Sequence, residues 1–132
     1  AIAAVVLTGQ QIGGERCIKS LAHGTYLRAW GYDYKVDMVG HAHRLELWKV
    51  EVDANNKVTL KGNYGETRYL RAYSDRSVGL SRQPQKWTPS MNSDASWSLK
   101  SVHGHWLSAN SEQEVFASDK RAGWQKFVIV EC

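Results

Sequence analysis

The phrase Gly24-Thr25-Tyr26-Leu27-Arg28-Ala29-Trp30 returns as Thr67-Arg68-Tyr69-Leu70-Arg71-Ala72-Tyr73, and again as Gly104-His105-Trp106-Leu107-Ser108-Ala109-Asn110. A hydrophobic-Lys-small triplet precedes each copy: Ile18-Lys19-Ser20, Leu60-Lys61-Gly62 and Leu99-Lys100-Ser101. A second apolar group follows each: Val36-Asp37-Met38, Val78-Gly79-Leu80 and Val115-Phe116-Ala117. Nine positions beyond the first Val of each group stands Leu45, Trp87 or Trp124, which makes these three an expected set of equivalents. The triplets start 42 and 39 residues apart, so three units fill most of the 132 residues. A period near 40 marks a supersecondary unit that cannot bury its apolar face alone and must pack against its copies.

Within a unit the apolar residues alternate. Trp48, Val50 and Val52 interleave with Lys49, Glu51 and Asp53, and Phe127 and Ile129 keep the habit near the end. Turn-forming stretches separate the runs, at 53–57, 62–66, 82–86 and 103–105. Strands at this spacing predict an all-β sandwich or barrel. Three equal units of about four strands narrow it to a threefold arrangement, and the length reads as one domain (residues 1–132) with unit limits near 15–54, 55–93 and 94–132. The segment Val39–Val50 has some helical look, but its alternation makes strand the better reading. No apolar run approaches the ~20 residues of a membrane helix. The opening Ala-Ile-Ala-Ala-Val-Val-Leu is too short and lacks the basic flank of a signal peptide, though it fits the start of a processed chain.

The third unit resembles a repeat of the fascin-like β-trefoil group. Leu99, Lys100, Ser101, Gly104, Trp106, Leu107, Ala109, Val115, Ala117, Gly123, Trp124 and Phe127 fit that pattern. The first unit keeps most of it, with Leu45 and Trp48 where Trp and Phe would stand; the second keeps Trp87 and then departs at Thr88-Pro89-Ser90. The resemblance implies a β-trefoil: six strands closing a short barrel, six forming a hairpin cap, and pseudo-threefold symmetry. It further implies actin-filament association and a cytoplasmic setting, since fascins cross-link actin and the related hisactophilins bind it. Weaker similarity runs to trefoil lectins. Gln85-Lys86-Trp87 looks like the Gln-x-Trp of the ricin type, and the Lys-Ser and Tyr-Leu-Arg phrases look like amaranthin-type agglutinins. A lectin would point to secretion instead.

Alternation places Leu27, Leu70 and Leu107 with their following alanines inward, and Arg28, Arg71 and Ser108 outward. Two outward sets can carry function. Lys19, Arg28, Lys61, Arg71 and Lys100 recur at equivalent places, and the net charge of +4 favours acidic partners, so these five are the candidate actin-binding residues; a plain solvated face is the alternative. Trp30, Tyr32 and Tyr34 alternate on one strand and are expected to share a face, with Tyr73 matching Trp30. Trp30, Tyr32 and Tyr73, with Asp37, Asp75 and Asn110 beside them, are candidate sugar-binding residues, against the alternative that the rings pad the fold.

Nothing marks an enzyme. There is no Gly-x-Ser-x-Gly elbow, phosphate loop or His-Glu-x-x-His, and the carboxylates are dispersed. His41-x-His43 and His103-x-His105 supply two imidazoles each, short of a zinc set, so neither metal nor cofactor is expected. Nucleic acid ranks behind actin and glycans, for want of a basic run or RNP-like phrase. The two cysteines, Cys17 and Cys132, lie on what should be neighbouring antiparallel strands. They are expected close together, pointing outward, and reduced if the chain is cytosolic.

Overall fold

The computed structural model describes residues 12–30, 34–63 and 67–132, and over these the chain is all-β. Its strands are β1 (Gly14–Ser20), β2 (Tyr26–Trp30), β3 (Lys35–Val39), β4 (Leu47–Val52), β5 (Val58–Gly62) and β6 (Tyr69–Ala72), followed by β7 (Val78–Ser81), β8 (Thr88–Met91), β9 (Trp97–Lys100), β10 (Trp106–Ala109), β11 (Val115–Ser118) and β12 (Phe127–Val130). Short 3-10 turns at Arg44–Glu46 and Gly123–Gln125 lead into β4 and β12. No helix among the described residues is long and apolar enough to cross a membrane.

All pairing is antiparallel and forms a nearly closed, barrel-like sheet. β1 pairs β12 from Cys17↔Val130 to Ser20↔Phe127, and pairs β4 on its other side. β4 pairs β5, β8 pairs β9, and β9 meets β12. The link from β5 toward β8 is a single bridge, Val58↔Trp87, whose two backbone bonds measure 2.8 and 2.7 Å. Three hairpins hang from this circuit: β2–β3, β6–β7 and β10–β11. Each is joined through one cross-strand pair of the same kind, Lys19↔Tyr26, Lys61↔Tyr69 or Lys100↔Trp106.

The hairpins also close on one another. The amides of Met38, Leu80 and Ala117 donate to the carbonyls of Gln113, Tyr34 and Arg76, at 3.1, 2.9 and 2.9 Å. Each accepting residue is the left-handed turn residue of a neighbouring hairpin, with φ of 67°, 57° and 74°. A positive φ at a non-glycine residue is uncommon, and here it aims a carbonyl at the next hairpin. Beneath this ring lies the core. Leu27, Leu70 and Leu107 are fully buried, as are Ile18, Leu60 and Leu99, with Ala29, Ala72 and Ala109 beside them. Each such aliphatic side chain taken from water contributes roughly 1.5–3 kcal/mol. The aromatic-Leu-x-Ala phrase therefore builds the core.

Several expectations are corrected. Trp87 does not correspond to Leu45 and Trp124. Its fully buried counterparts are Trp48 and Phe127, since Trp48 Nε1 donates to Leu27 O and Trp87 Nε1 to Leu70 O, both at 3.0 Å, while Trp124 is 45% exposed. The second unit is three residues shorter between its third strand and its core aromatic, so equal spacing in sequence misaligns the fourth strand. Ser108 points inward, where Gln125 Nε2 donates to its hydroxyl at 2.6 Å. Tyr34 does not share a strand face with Trp30; it occupies the β2–β3 turn. Cys17 and Cys132 are close, as expected, with Cα atoms 5.2 Å apart, but they form a disulfide and Cys17 is fully buried. Cys17 stands in the sheet between Val130 of β12 and Leu47 of β4.

Candidate functional site

The β2–β3 hairpin brings an exposed ring, a cation and an acid into one place. Cross-strand pairing sets Arg28 opposite Asp37 and Trp30 opposite Lys35. Arg28 Nε and Nη2 donate to the two carboxylate oxygens of Asp37 at 2.8 and 2.6 Å, a bidentate pair of the planar guanidinium kind. That hydrogen-bonded contact raises the Arg28 pKa, with a further contribution from the buried Glu46 carboxylate. The same guanidinium lies 4.6 Å from the centre of the Trp30 ring. Trp30 remains 38% exposed, and Arg28, Trp30, Lys35, Val36 and Asp37 line a depression of about 210 Å³. Tyr32, the third member of the expected aromatic face, lies outside the described residues.

The other hairpins keep only parts of this arrangement. In β6–β7, Arg71 sits 5.3 Å from the ring of Tyr73, which is 40% exposed. Gly79 takes the place of Asp37, so the guanidinium has no acid opposite it in the hairpin. Asp75 is engaged in its turn: its Oδ1 accepts from both the hydroxyl and the amide of Ser77, which lowers its pKa. In β10–β11, Ser108 and Phe116 replace the pair, and Asn110 holds its turn through the amides of Glu112 and Glu114. Asp75 and Asn110 are thus turn-formers. The full constellation occurs in the first hairpin alone among the described residues.

The five basic candidates stay within their own units. The Nζ atoms of Lys19 and Lys100 lie 5.5 and 5.6 Å from the rings of Tyr26 and Trp106, their cross-strand partners, and Lys61 stands opposite Tyr69 in the same backbone register. Arg28 is neutralised by Asp37. They are distributed around the three units and do not gather into one patch.

Two features escaped the sequence reading. The first is a buried Glu/Gln at the position two residues before each core aromatic: Glu46, Gln85 and Gln125. Gln85 exchanges two hydrogen bonds with the Ala72 backbone, Gln125 accepts from Ala122 N, and Glu46 accepts from His43 N and pairs with His41 Nε2 at 3.2 Å. Gln85-Lys86-Trp87 is therefore one of three such phrases, the others being Glu46-Leu47-Trp48 and Gln125-Lys126-Phe127. The second is the exposure of Trp124. Its signal was the pair of large apolar residues three apart in Leu45/Trp48 and Trp124/Phe127, against the single Trp87: only one of each pair fits the core slot.

No family model matches the chain, and no curated protein matches it. Among solved structures it is similar to SeviL bound to asialo-GM1 saccharide, with a TM-score of 0.77 and 16% identity, over 90% of this chain and 98% of that one. At that identity the likeness extends to the fold.

Proposed function

We propose that this chain is a β-trefoil lectin domain, of three units near 15–54, 55–93 and 94–132, which binds glycans without acting on them chemically. The carrying observation is the depression on the β2–β3 hairpin, where Trp30, Arg28 and Asp37 converge. A sugar ring has an apolar C–H face and a hydroxyl rim. An exposed indole receives the first; a carboxylate accepts from, and a guanidinium donates to, the second. Because Arg28 and Asp37 hold each other, both are oriented before a ligand arrives, which lowers the entropic cost of binding. Support from outside the chain is the fold shared with SeviL, which was solved with a saccharide bound. Tyr73 with Arg71 provides a reduced copy of the same arrangement, without the acid.

The actin reading of Lys19, Arg28, Lys61, Arg71 and Lys100 has no comparable support: Arg28 is paired with Asp37, and Lys19, Arg71 and Lys100 each lie over a neighbouring ring. The disulfide favours an oxidising compartment, consistent with a secreted lectin.

A glycan array with wild-type protein, including the asialo-GM1 saccharide, tests the reading. Trp30→Ala and Asp37→Asn are each expected to weaken the best hit at least ~10-fold while leaving the melting temperature near that of the wild type. Absence of any glycan hit, together with salt-sensitive co-sedimentation on filamentous actin, would reverse the conclusion in favour of actin.

A further inference from the structure

We infer that Trp124 is the platform of a second saccharide subsite, separate from the hairpin depression, and that the domain is divalent as a monomer. The inference takes its ligand class from the glycan-binding reading, but its evidence is independent of Trp30. The buried aromatic slot of the third unit is already filled by Phe127, so Trp124 has no place in the core. The 3-10 turn Gly123–Gln125 carries it outward, leaving it 45% exposed. A large indole left in water forgoes stabilisation that burial would supply.

The indole is also held still. Gln125, next in the chain, is buried, accepting from Ala122 N at 2.9 Å and donating to Ser108 at 2.6 Å. The His23 ring packs beside Trp124, with centroids 5.7 Å apart and planes tilted by 59°. His23 belongs to the β1–β2 turn, closed by Gly24 N on Ser20 O and tied to the last unit by Leu21 N on Lys126 O at 3.0 Å. The platform is thus braced from the first unit and mounted on the third. Beside it, Lys120, Ala122, Gly123, Trp124 and Gln125 line a depression of about 450 Å³, inside the ~300–1,000 Å³ range of small-molecule sites. Nothing lies within 4 Å of where a Gly123 Cβ would stand, so the floor is open. A flat apolar platform with an ammonium group at its rim suits a pyranose: C–H face on the indole, hydroxyls donating to backbone carbonyls or accepting from Lys120. This lining shares no residue with the hairpin depression.

Titration calorimetry with the asialo-GM1 saccharide, combined with amide and indole NMR, tests the inference. Two saccharides should bind each wild-type chain. Trp124→Ala should bind one and fail to cross-link saccharide-coated beads, Trp124→Phe should keep part of the second affinity, and Trp30→Ala should still move the Trp124 indole resonance. One saccharide per wild-type chain with an unmoved Trp124 resonance would overturn the second subsite while leaving the hairpin reading intact. Two saccharides per Trp124→Ala chain would overturn it as well. If no saccharide binds wild type at any concentration, both readings fall together.

Discussion

Trp48 and Trp87 each do two things at one position: they fill the core, and their indole N–H groups satisfy the carbonyls of Leu27 and Leu70. The third unit fills the same slot with Phe127, which carries no donor. Trp48→Phe should therefore fit sterically but leave a buried carbonyl unpaired, at a cost of about 1–3 kcal/mol in denaturant unfolding. A change well below that range would show that the hydrogen bond is incidental to the packing. The turn carboxylates allow a second residue-level prediction. Asp94 is held well below the usual carboxylate range, first by the Ser96 hydroxyl, then by Lys126 and the Ser96 amide. A folded-state pKa below the unfolded value of ~3.9 means that the stabilisation is fully present above that pH. It is lost as pH falls through the lower, folded value. Asp94→Asn should consequently melt below wild type at pH 7, with the gap closing only under about pH 4. A gap that is constant with pH would exclude an ionic origin.

At the scale of elements, the hairpin cap depends on close backbone approach at one point. A Cβ on Gly79 would lie 2.8 Å from the Tyr34 carbonyl, which is the acceptor for Leu80 N. Gly79→Ala should push the β6–β7 hairpin off the β2–β3 turn and cost about 1–3 kcal/mol. Amide exchange at Leu80 should speed up more than at Met38 or Ala117, because the contact broken is local; equal acceleration at all three would mean that the cap opens as a unit. The need for glycine here was not legible in the sequence, where Gly79 aligns with Asp37 and Phe116 and looks like a neutral position. The strands themselves were legible, because alternation and turn residues are local signals. The register of the fourth strand was not. Deleting three residues shortens a connection without altering the strand's own pattern, so only the buried indole bonds reveal that Trp87 matches Trp48. The hairpin site was half legible. Trp30 and Asp37 could be proposed from alternation, but the Arg28–Asp37 pairing depends on a cross-strand register, and the engagement of Asp75 and Asn110 in their turns depends on backbone shape.

For the whole molecule, closure of the sheet rests on two segments at opposite ends of the described chain. β1 and β12 pair over four residues, and the Cys17–Cys132 bond joins them across 115 positions of sequence. Such a link acts chiefly on the unfolded chain, whose conformational freedom it restricts; for a loop of this length the chain-entropy estimate is ~4–5 kcal/mol. Reduction removes the constraint without deleting any core side chain. The reduced protein should thus keep its β-sheet spectrum and its binding at the Trp30 depression under native conditions. Its denaturant midpoint should fall by an amount equivalent to as much as ~4–5 kcal/mol. Its m-value should rise as well, because a linear unfolded chain exposes more surface than a cross-linked one. A lower midpoint with an unchanged m-value would place the effect in the folded state, as loss of the β1–β12 pairing. Hydrogen exchange at Ile18 and Ile129 separates the two: protection persists in the reduced protein if the disulfide acts on the unfolded ensemble, and disappears if the bond is what holds the barrel shut.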